Sequence, residues 1–335
     1  MKRRDFLRAS AATLALSTTG GIGGAERALA QTKMVLRASD VHPLGYPTVE
    51  AVQRMGKKLE AATEGRLTIQ MFPSMQLGGE KEMIEQAQLG ALQIARISVG
   101  AVGPVVDDVN VFNMPFVFRD SKHMEAVIDG EIGDELLAKI TANEKTNLIA
   151  LCWMNAGSRN IYNNKRPIKT MADLKGLKVR MMGNPLFVDT MNALGGNGVA
   201  LGFDQVFSSM QTGVIDGAEN NPPSFIAQNH NQVAKYFTMT EHLIIPELLV
   251  FSRISWQKLT PADQALIKKL SKECQAEQRV LWYEAEKAAI DKMKAAGTEM
   301  IMDVDKKPWR DAVKPVWDKY GAKYAEMVKR IDAVK

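Results

Sequence analysis

Apolar residues recur at alternate positions in two short runs near the start of the chain, and at every third or fourth position in the stretches that follow them. Met34–Ser39 and Leu67–Phe72 read as strands by alternation and β-branching. Val49, Val52, Met55, Leu59 and Ala62 fall at helical spacing between Tyr46 and Thr63, and Glu64-Gly65-Arg66 turns the chain. Glu80 to Leu89 is a second helix closed by Gly90. The pattern recurs later, with strands at Leu148–Trp153 and Lys178–Met181 and helices at Pro185–Leu194 and Asp204–Thr212. Strands alternating with helices of this length predict an α/β fold of open sheets with helices on both faces. Its recurrence predicts two similar lobes facing across a cleft, with binding at the carboxyl ends of strands. Thr260-Pro261-Ala262-Asp263 then opens a helical region from Ala262 to Ala296, with a break or bend allowed. A last helix from Lys307 to Lys335 would turn Trp309, Val313, Val316, Trp317, Tyr320 and Tyr324 toward the body. No heptad is sustained, which excludes a coiled coil, and no internal repeat appears.

The amino terminus does not belong to this pattern. Lys2, Arg3, Arg4 and Arg8 precede an uncharged stretch from Ala9 to Ala25, and Ala28-Leu29-Ala30 forms a small-residue cleavage site. Residues 1–30 read as an export peptide, of the twin-arginine type from Arg3-Arg4 followed by Phe6-Leu7, and the mature chain would begin at Gln31 in the periplasm. The stretch is too short and too weakly apolar for a membrane anchor, since a span needs about 20 strongly apolar residues. Five of the chain's 43 basic residues and two of its 38 acidic ones leave with the peptide, so the formal net charge falls from +5 to +2. No concentrated basic face remains to recommend nucleic acid as a partner. Cys152 and Cys274 could pair in an oxidising compartment, but Cys152 lies in the apolar run Leu148–Trp153 and reads as a buried free thiol. Neither CxxC nor HExxH occurs, no metal or cofactor is expected, and Ser158 lacks a GxSxG elbow.

The densest chemistry lies between Gly157 and Phe225, where GSRN, KGLKVRMMGNP and MQTGVIDGAENNPPSF set two arginines and an asparagine pair among turn-forming residues. A guanidinium is a planar fork that matches a carboxylate with two parallel N–H···O bonds, so Arg180, ending the LKV strand, is a candidate carboxylate clamp. The alternative is a solvated surface arginine. His42 follows the first strand, where the cleft is expected; it reads either as a ligand contact or as a cap of the turn before Pro43. Trp153, Phe203, Phe207 and Phe225 are candidates for an apolar floor under a ring, or for core.

Four segments together resemble the DctP-like solute-binding proteins of tripartite ATP-independent periplasmic (TRAP) transporters. They are FPSMQLGGEKEMIEQAQLGALQI (72–94), VFNMPFVF (111–118), ADLKGLKVR (172–180) and MQTGVIDGAENN (210–221). The resemblance covers essentially the whole mature chain. It implies a two-lobed periplasmic binding protein fold with hinge strands and a long helix spanning both lobes, a ligand held between them, and closure on binding. Lobe I is expected at residues 31–156 plus 246–285, and lobe II at 157–245 plus 286–335. Carried over residue by residue, the resemblance makes Arg180 the principal carboxylate ligand, Arg159 a second arginine, and Asn220 with its neighbour Asn221 readers of ligand oxygens. It makes Glu80 an acceptor for ligand hydroxyls. DVHPLGYP and ENNPPS resemble the branch that binds hexuronates such as D-glucuronate or D-galacturonate, while Ser98 stands where sialic-acid binders place a glutamate. The expected partners are a sugar acid and the TRAP membrane permease, with no catalysis and a monomer. Two alternatives stand beside this: a C4-dicarboxylate or oxo-acid ligand, and a periplasmic sugar-acid enzyme using His42 or Glu80 as base.

Overall fold

The computed structural model describes residues 33–335. The export segment and its cleavage site lie outside the described residues. Eleven strands form two mixed sheets among the described residues. The first runs β2(Leu67–Phe72)-β1(Met34–Ser39)-β3(Ile94–Ser98)-β10(Glu247–Ser252)-β4(Leu148–Met154). The second runs β11(Glu299–Ile301)-β9(Tyr236–Ile244)-β5(Ser158–Asn163)-β8(Gly217–Asn220)-β6(Lys178–Met181)-β7(Asn197–Ala200). β1 pairs in parallel with β2 and β3, and β6 with β7 and β8, whereas β10 and β5 run antiparallel to their neighbours.

Each sheet is buried by its own apolar layer. The Pro47–Ala62 helix lays Val52, Met55 and Leu59 on Leu36, Leu67 and Phe251, with Cys152 and Cys274 in the same layer as buried free thiols. Burial pushes the Cys152 thiol up to about 12. Behind the second sheet, Tyr162, Val206, Phe225 and Phe237 pack together, and Trp153 of β4 is fully buried in the other large apolar cluster, so Trp153 and Phe225 are core.

The chain passes between the sheets at Asn155–Gly157, linking β4 to β5, and at Ile245-Pro246, linking β9 to β10. The first crossing is held by the long helix: Asn155 N–H donates to Gln278 Oε1 and Gln278 Nε2 donates back to Asn155 O, both at 2.8 Å. Gly157 turns there with φ +59°, and a Cβ would stand 2.8 Å from Glu286 Oε1 and 3.0 Å from the Trp282 ring, which favours glycine. The long helix is one element, Pro261–Ala295, of 35 residues, without the break that the sequence allows. Thr260 caps its first turn by accepting from Asp263 N–H, and Arg66 holds Asp263 with a two-pronged ion pair.

The single terminal helix expected over 307–335 is instead several short pieces. Lys306–Ala312 is followed by Lys314–Val316, a π-turn at Trp317–Gly321, a 3-10 turn and Ala325–Ala333. Pro315 lacks an N–H and restricts the residue before it, which ends the first piece. These pieces hydrogen-bond mainly to residues 107–135 and reach Asp189 through Lys319 and Tyr320. Asp204–Thr212 likewise divides into a 3-10 turn and a Val206–Gln211 helix. No helix among the described residues is long and apolar enough to cross a membrane.

Candidate functional site

The carboxyl ends of β1 and β3 and the start of β10 face the start of β5, the end of β8 and β6 across a small cavity. His42, Glu80, Arg96, Ser98 and Glu247 line one side; Arg159, Arg180, Phe203, Asn220, Asn221 and Ser224 line the other. All six residues singled out from the sequence therefore meet at one place.

Arg180 is 3% exposed. Its strand alternates, with Val179 and Met181 turned into the core, which sends Arg180 to the cavity face. Nε donates to Leu201 O at 2.8 Å, and no described protein group accepts from the terminal nitrogens. Phe203 lies beneath the guanidinium, 5.7 Å from it to the ring centre. Burial pushes its pKa below the ordinary arginine value, Arg159 adds to that, and Glu219 opposes it. Arg159 is different. It forks onto Glu219 at 2.5 and 2.8 Å, reaches Glu219 O at 2.9 Å and Asn220 Oδ1 at 3.0 Å. Burial alone would lower its pKa, but the Glu219 charge and hydrogen bonds, with Glu247 beyond, together raise it. Asn220 Oδ1 also accepts from Asn221 N–H, and Asn221 Oδ1 caps the Pro222–Ala227 helix through Ser224 N–H.

On the opposite side the organising group is Arg96, which sequence reading misses. It is 2% exposed at the centre of the wholly buried strand IARIS. Nε and Nη2 donate to Asp40 Oδ1 at 3.1 and 2.7 Å, while Nη1 is shared by Glu80 Oε1 at 3.1 Å and Glu247 Oε2 at 2.6 Å. Glu80 Oε1 accepts a second bond from Ser98 N–H at 2.7 Å. A charged residue inside an apolar strand was the available signal for Arg96, because an arginine is almost never fully buried unless paired. Glu247, missed as well, is the first residue of β10 and is 5% exposed. Burial, with Glu80 alongside, pushes its carboxyl up to about 7 against the pull of Arg96.

His42 both holds the turn before Pro43 and lines the cavity. Its N–H donates to Asp40 Oδ1 at 3.0 Å, fixing the turn, while its ring lies on that of Tyr46 at 3.7 Å and faces the cavity. Nε2 stands 3.1 Å from Ser224 Oγ, Tyr46 Oη is 2.8 Å from the same oxygen, and Gln228 Nε2 donates to Val41 O at 3.3 Å. These bonds join residues of the first side directly to the Pro222–Ala227 helix and its end. Asp40, His42 and Ser224 thus form a line that resembles a nucleophile relay. The line is ill suited to that chemistry: burial and the nearby Arg96 depress the His42 pKa, and Arg96 Nη2 sits 2.9 Å from Nδ1, so an imidazolium would face a guanidinium.

Residues 38–323 match the family model described as bacterial extracellular solute-binding protein, family 7, DctP. A TRAP periplasmic solute-binding protein from Pseudomonas putida F1, solved with bound D-glucuronate, is 58% identical and superposes with a TM-score of 0.88 over 90% of this chain and 98% of that one. One from Bradyrhizobium sp. BTAi1, in complex with D-galacturonate, is 42% identical with a TM-score of 0.86 over 89% and 99%. A protein from Citrobacter koseri, matched over 90% of this chain and all of its own, gives a TM-score of 0.88 with bound D-glucuronate at 47% identity. Its apo, open structure gives 0.79 at 45% identity over 89% and 98%. The lobes here therefore stand in the closed arrangement, as the direct bonds between them require. With a family model spanning most of its length and relatives of this similarity, the chain belongs to the DctP family of bacterial extracellular solute-binding proteins, the capture components of TRAP transporters.

Proposed function

We propose that this protein captures a hexuronate, D-glucuronate or D-galacturonate, in the periplasm and presents it to the membrane permease of a TRAP transporter. The observation that carries the reading is Arg180: a buried guanidinium whose terminal nitrogens have no protein partner, at the mouth of groups that read hydroxyls. The ligand's carboxylate docks on that fork, and Arg159 contributes the one N–H left by its other bonds. Glu80 accepts from ligand hydroxyls, Asn220 and Asn221 donate or accept, and His42 offers Nε2. Phe203 lies under the ring. A C4-dicarboxylate would call for a second free guanidinium, and Arg159 is already committed to Glu219. The glucuronate- and galacturonate-bound relatives support the sugar-acid branch.

In this reading the two sheets are the cores of lobe I (31–156 and 246–285) and lobe II (157–245 and 286–335). Residues 1–30 are a twin-arginine signal, the mature protein is a monomer, and it binds without turnover. Closure is favoured because the ligand contacts both lobes only when they are shut. A thermal-shift and calorimetry panel of hexuronates, the matching neutral hexoses, C4-dicarboxylates, oxo acids and sialic acid tests this. Binding of a hexuronate but not its hexose is expected. A response confined to diacids or oxo acids would overturn the ligand, and consumption of bound sugar acid would overturn the absence of catalysis.

A further inference from the structure

The cavity carries more negative charge than an anion site needs. Arg96, Arg159 and Arg180 are the cations, against Asp40, Glu80, Glu219 and Glu247, all lining the cavity or paired with a residue that does. His42, held neutral by burial and Arg96, adds nothing. A docking monocarboxylate would set five anions against three cations among largely buried groups, where isolated charge is costly.

The four carboxylates are not equally supported. Asp40 accepts from His42 N, Thr48 Oγ1 and two nitrogens of Arg96, with His42 Nδ1 3.0 Å from it. Glu219 holds the fork of Arg159, and Glu80 has Arg96 and the Ser98 N–H. Glu247 has one bond, to an Arg96 nitrogen that Glu80 also uses. It is the carboxylate least able to remain ionised when another anion arrives.

We propose that the closing site takes up a proton together with its anionic ligand, and that Glu247 receives it. Protonated Glu247 presents an O–H where an ionised one could only accept, so it donates to a ligand oxygen while Glu80 accepts. Of the charged groups facing it, Glu80 favours the proton, whereas Arg96 and Arg159 oppose it. Arg96 lies on β3, Glu80 on the adjoining helix, Arg159 on β5, Tyr46 at the end of the His42 turn, and Arg180 and Glu219 across the cavity. Burial already lifts its carboxyl to about 7 before any ligand charge is added. With the lobes apart and water readmitted, Glu247 returns toward its ordinary value of 4.5. Between those limits the closed form binds more protons than the open form, so affinity falls as pH rises, by at most about tenfold per unit.

The inference rests on the hexuronate reading for its ligand but requires only a monocarboxylate. D-glucuronate and D-galacturonate are titrated into the mature protein near pH 6 in buffers of differing ionisation enthalpy, which yields protons taken up per ligand bound. A substantial fraction of one proton is expected for the native protein and close to none for Glu247→Gln, whose affinity should also lose its pH slope. Binding with no uptake and a flat pH profile overturns the proposal, as does undiminished uptake in Glu247→Gln. Should that variant fail to fold, the native protein's infrared difference spectrum on ligand addition decides: a protonated-carboxyl C=O band must appear, and its absence overturns the assignment. If no hexuronate binds at all, the ligand reading fails, and the proton count is taken with whichever carboxylate the panel identifies.

Discussion

Arg159 and Arg180 lie in the same cavity, yet replacing each by alanine should do opposite things. An arginine has five N–H donors. Arg159 makes four hydrogen bonds inside the protein, three of them to Glu219, which is fully buried. Removing its side chain strands the Glu219 carboxylate, and breaking a buried pair in this way costs about 3–5 kcal/mol. At roughly 2–4 °C per kcal/mol, Arg159→Ala should melt about 6–20 °C below the native protein. Arg180 makes a single internal bond, to Leu201 O, and its charge has no ion-pair partner. Arg180→Ala should therefore melt within about 2–4 °C of the native protein, or above it, since an unpaired buried charge is removed. Its binding should collapse, because the ligand carboxylate is left buried without its fork. Such truncations cost about 2–5 kcal/mol, a loss of roughly 30- to 5,000-fold in affinity. Calorimetry with D-glucuronate and a ligand-free thermal melt separate the two effects. The reasoning fails if Arg180→Ala melts as low as Arg159→Ala, or if it retains affinity within about threefold of native.

Tyr46→Phe removes the hydroxyl that meets Ser224 across the lobes at 2.8 Å. One such bond is worth about 1 kcal/mol, so affinity should drop about fivefold through faster release, and equally for every ligand; a loss selective for one sugar acid would contradict the closing role. Burial, reinforced by Arg180 for His230 and by Arg159 for His242, lowers these two histidines to about 3 and about 4, against 6.5 when free. The unfolded chain therefore binds protons that the folded one refuses, and stability is lost as pH falls below about 6.5, with His242 alone worth roughly 3 kcal/mol by pH 4. In chemical unfolding, His242→Gln should flatten this slope relative to native; parallel profiles would show that another group causes it. Cys152 and Cys274 are buried with raised pKa values, so a thiol reagent should label neither in the native protein and both after unfolding, whereas no labelling after unfolding would reveal a disulfide.

Periodicity carried much of the fold. Met34–Ser39, Leu67–Phe72 and Lys178–Met181 match the observed strands at both ends, because alternation and β-branching there are not in competition with turn chemistry. The terminal segment was misjudged because its helical spacing continues through Pro308 and Pro315, and spacing says nothing about a missing N–H. In the site, Arg180 was legible from its place at a strand's end and His42 from its place just beyond one. The Arg96 cluster was not: its partners Asp40, Glu80 and Glu247 lie 56, 16 and 151 positions away, distances that only the sheet order β1-β3-β10 brings together. Pairing of that kind leaves no local trace beyond one charge in an apolar strand.

The lone guanidinium of Arg180 also bears on how a transporter avoids wasted cycles. A capture protein that could shut as readily without cargo as with it would occupy the permease to no purpose. Shutting around nothing buries the Arg180 guanidinium with its terminal nitrogens unpaired, while a docking carboxylate would supply their partner. On the proposed docking of the ligand's carboxylate, Arg180 thereby makes the closed shape a report of whether cargo is present.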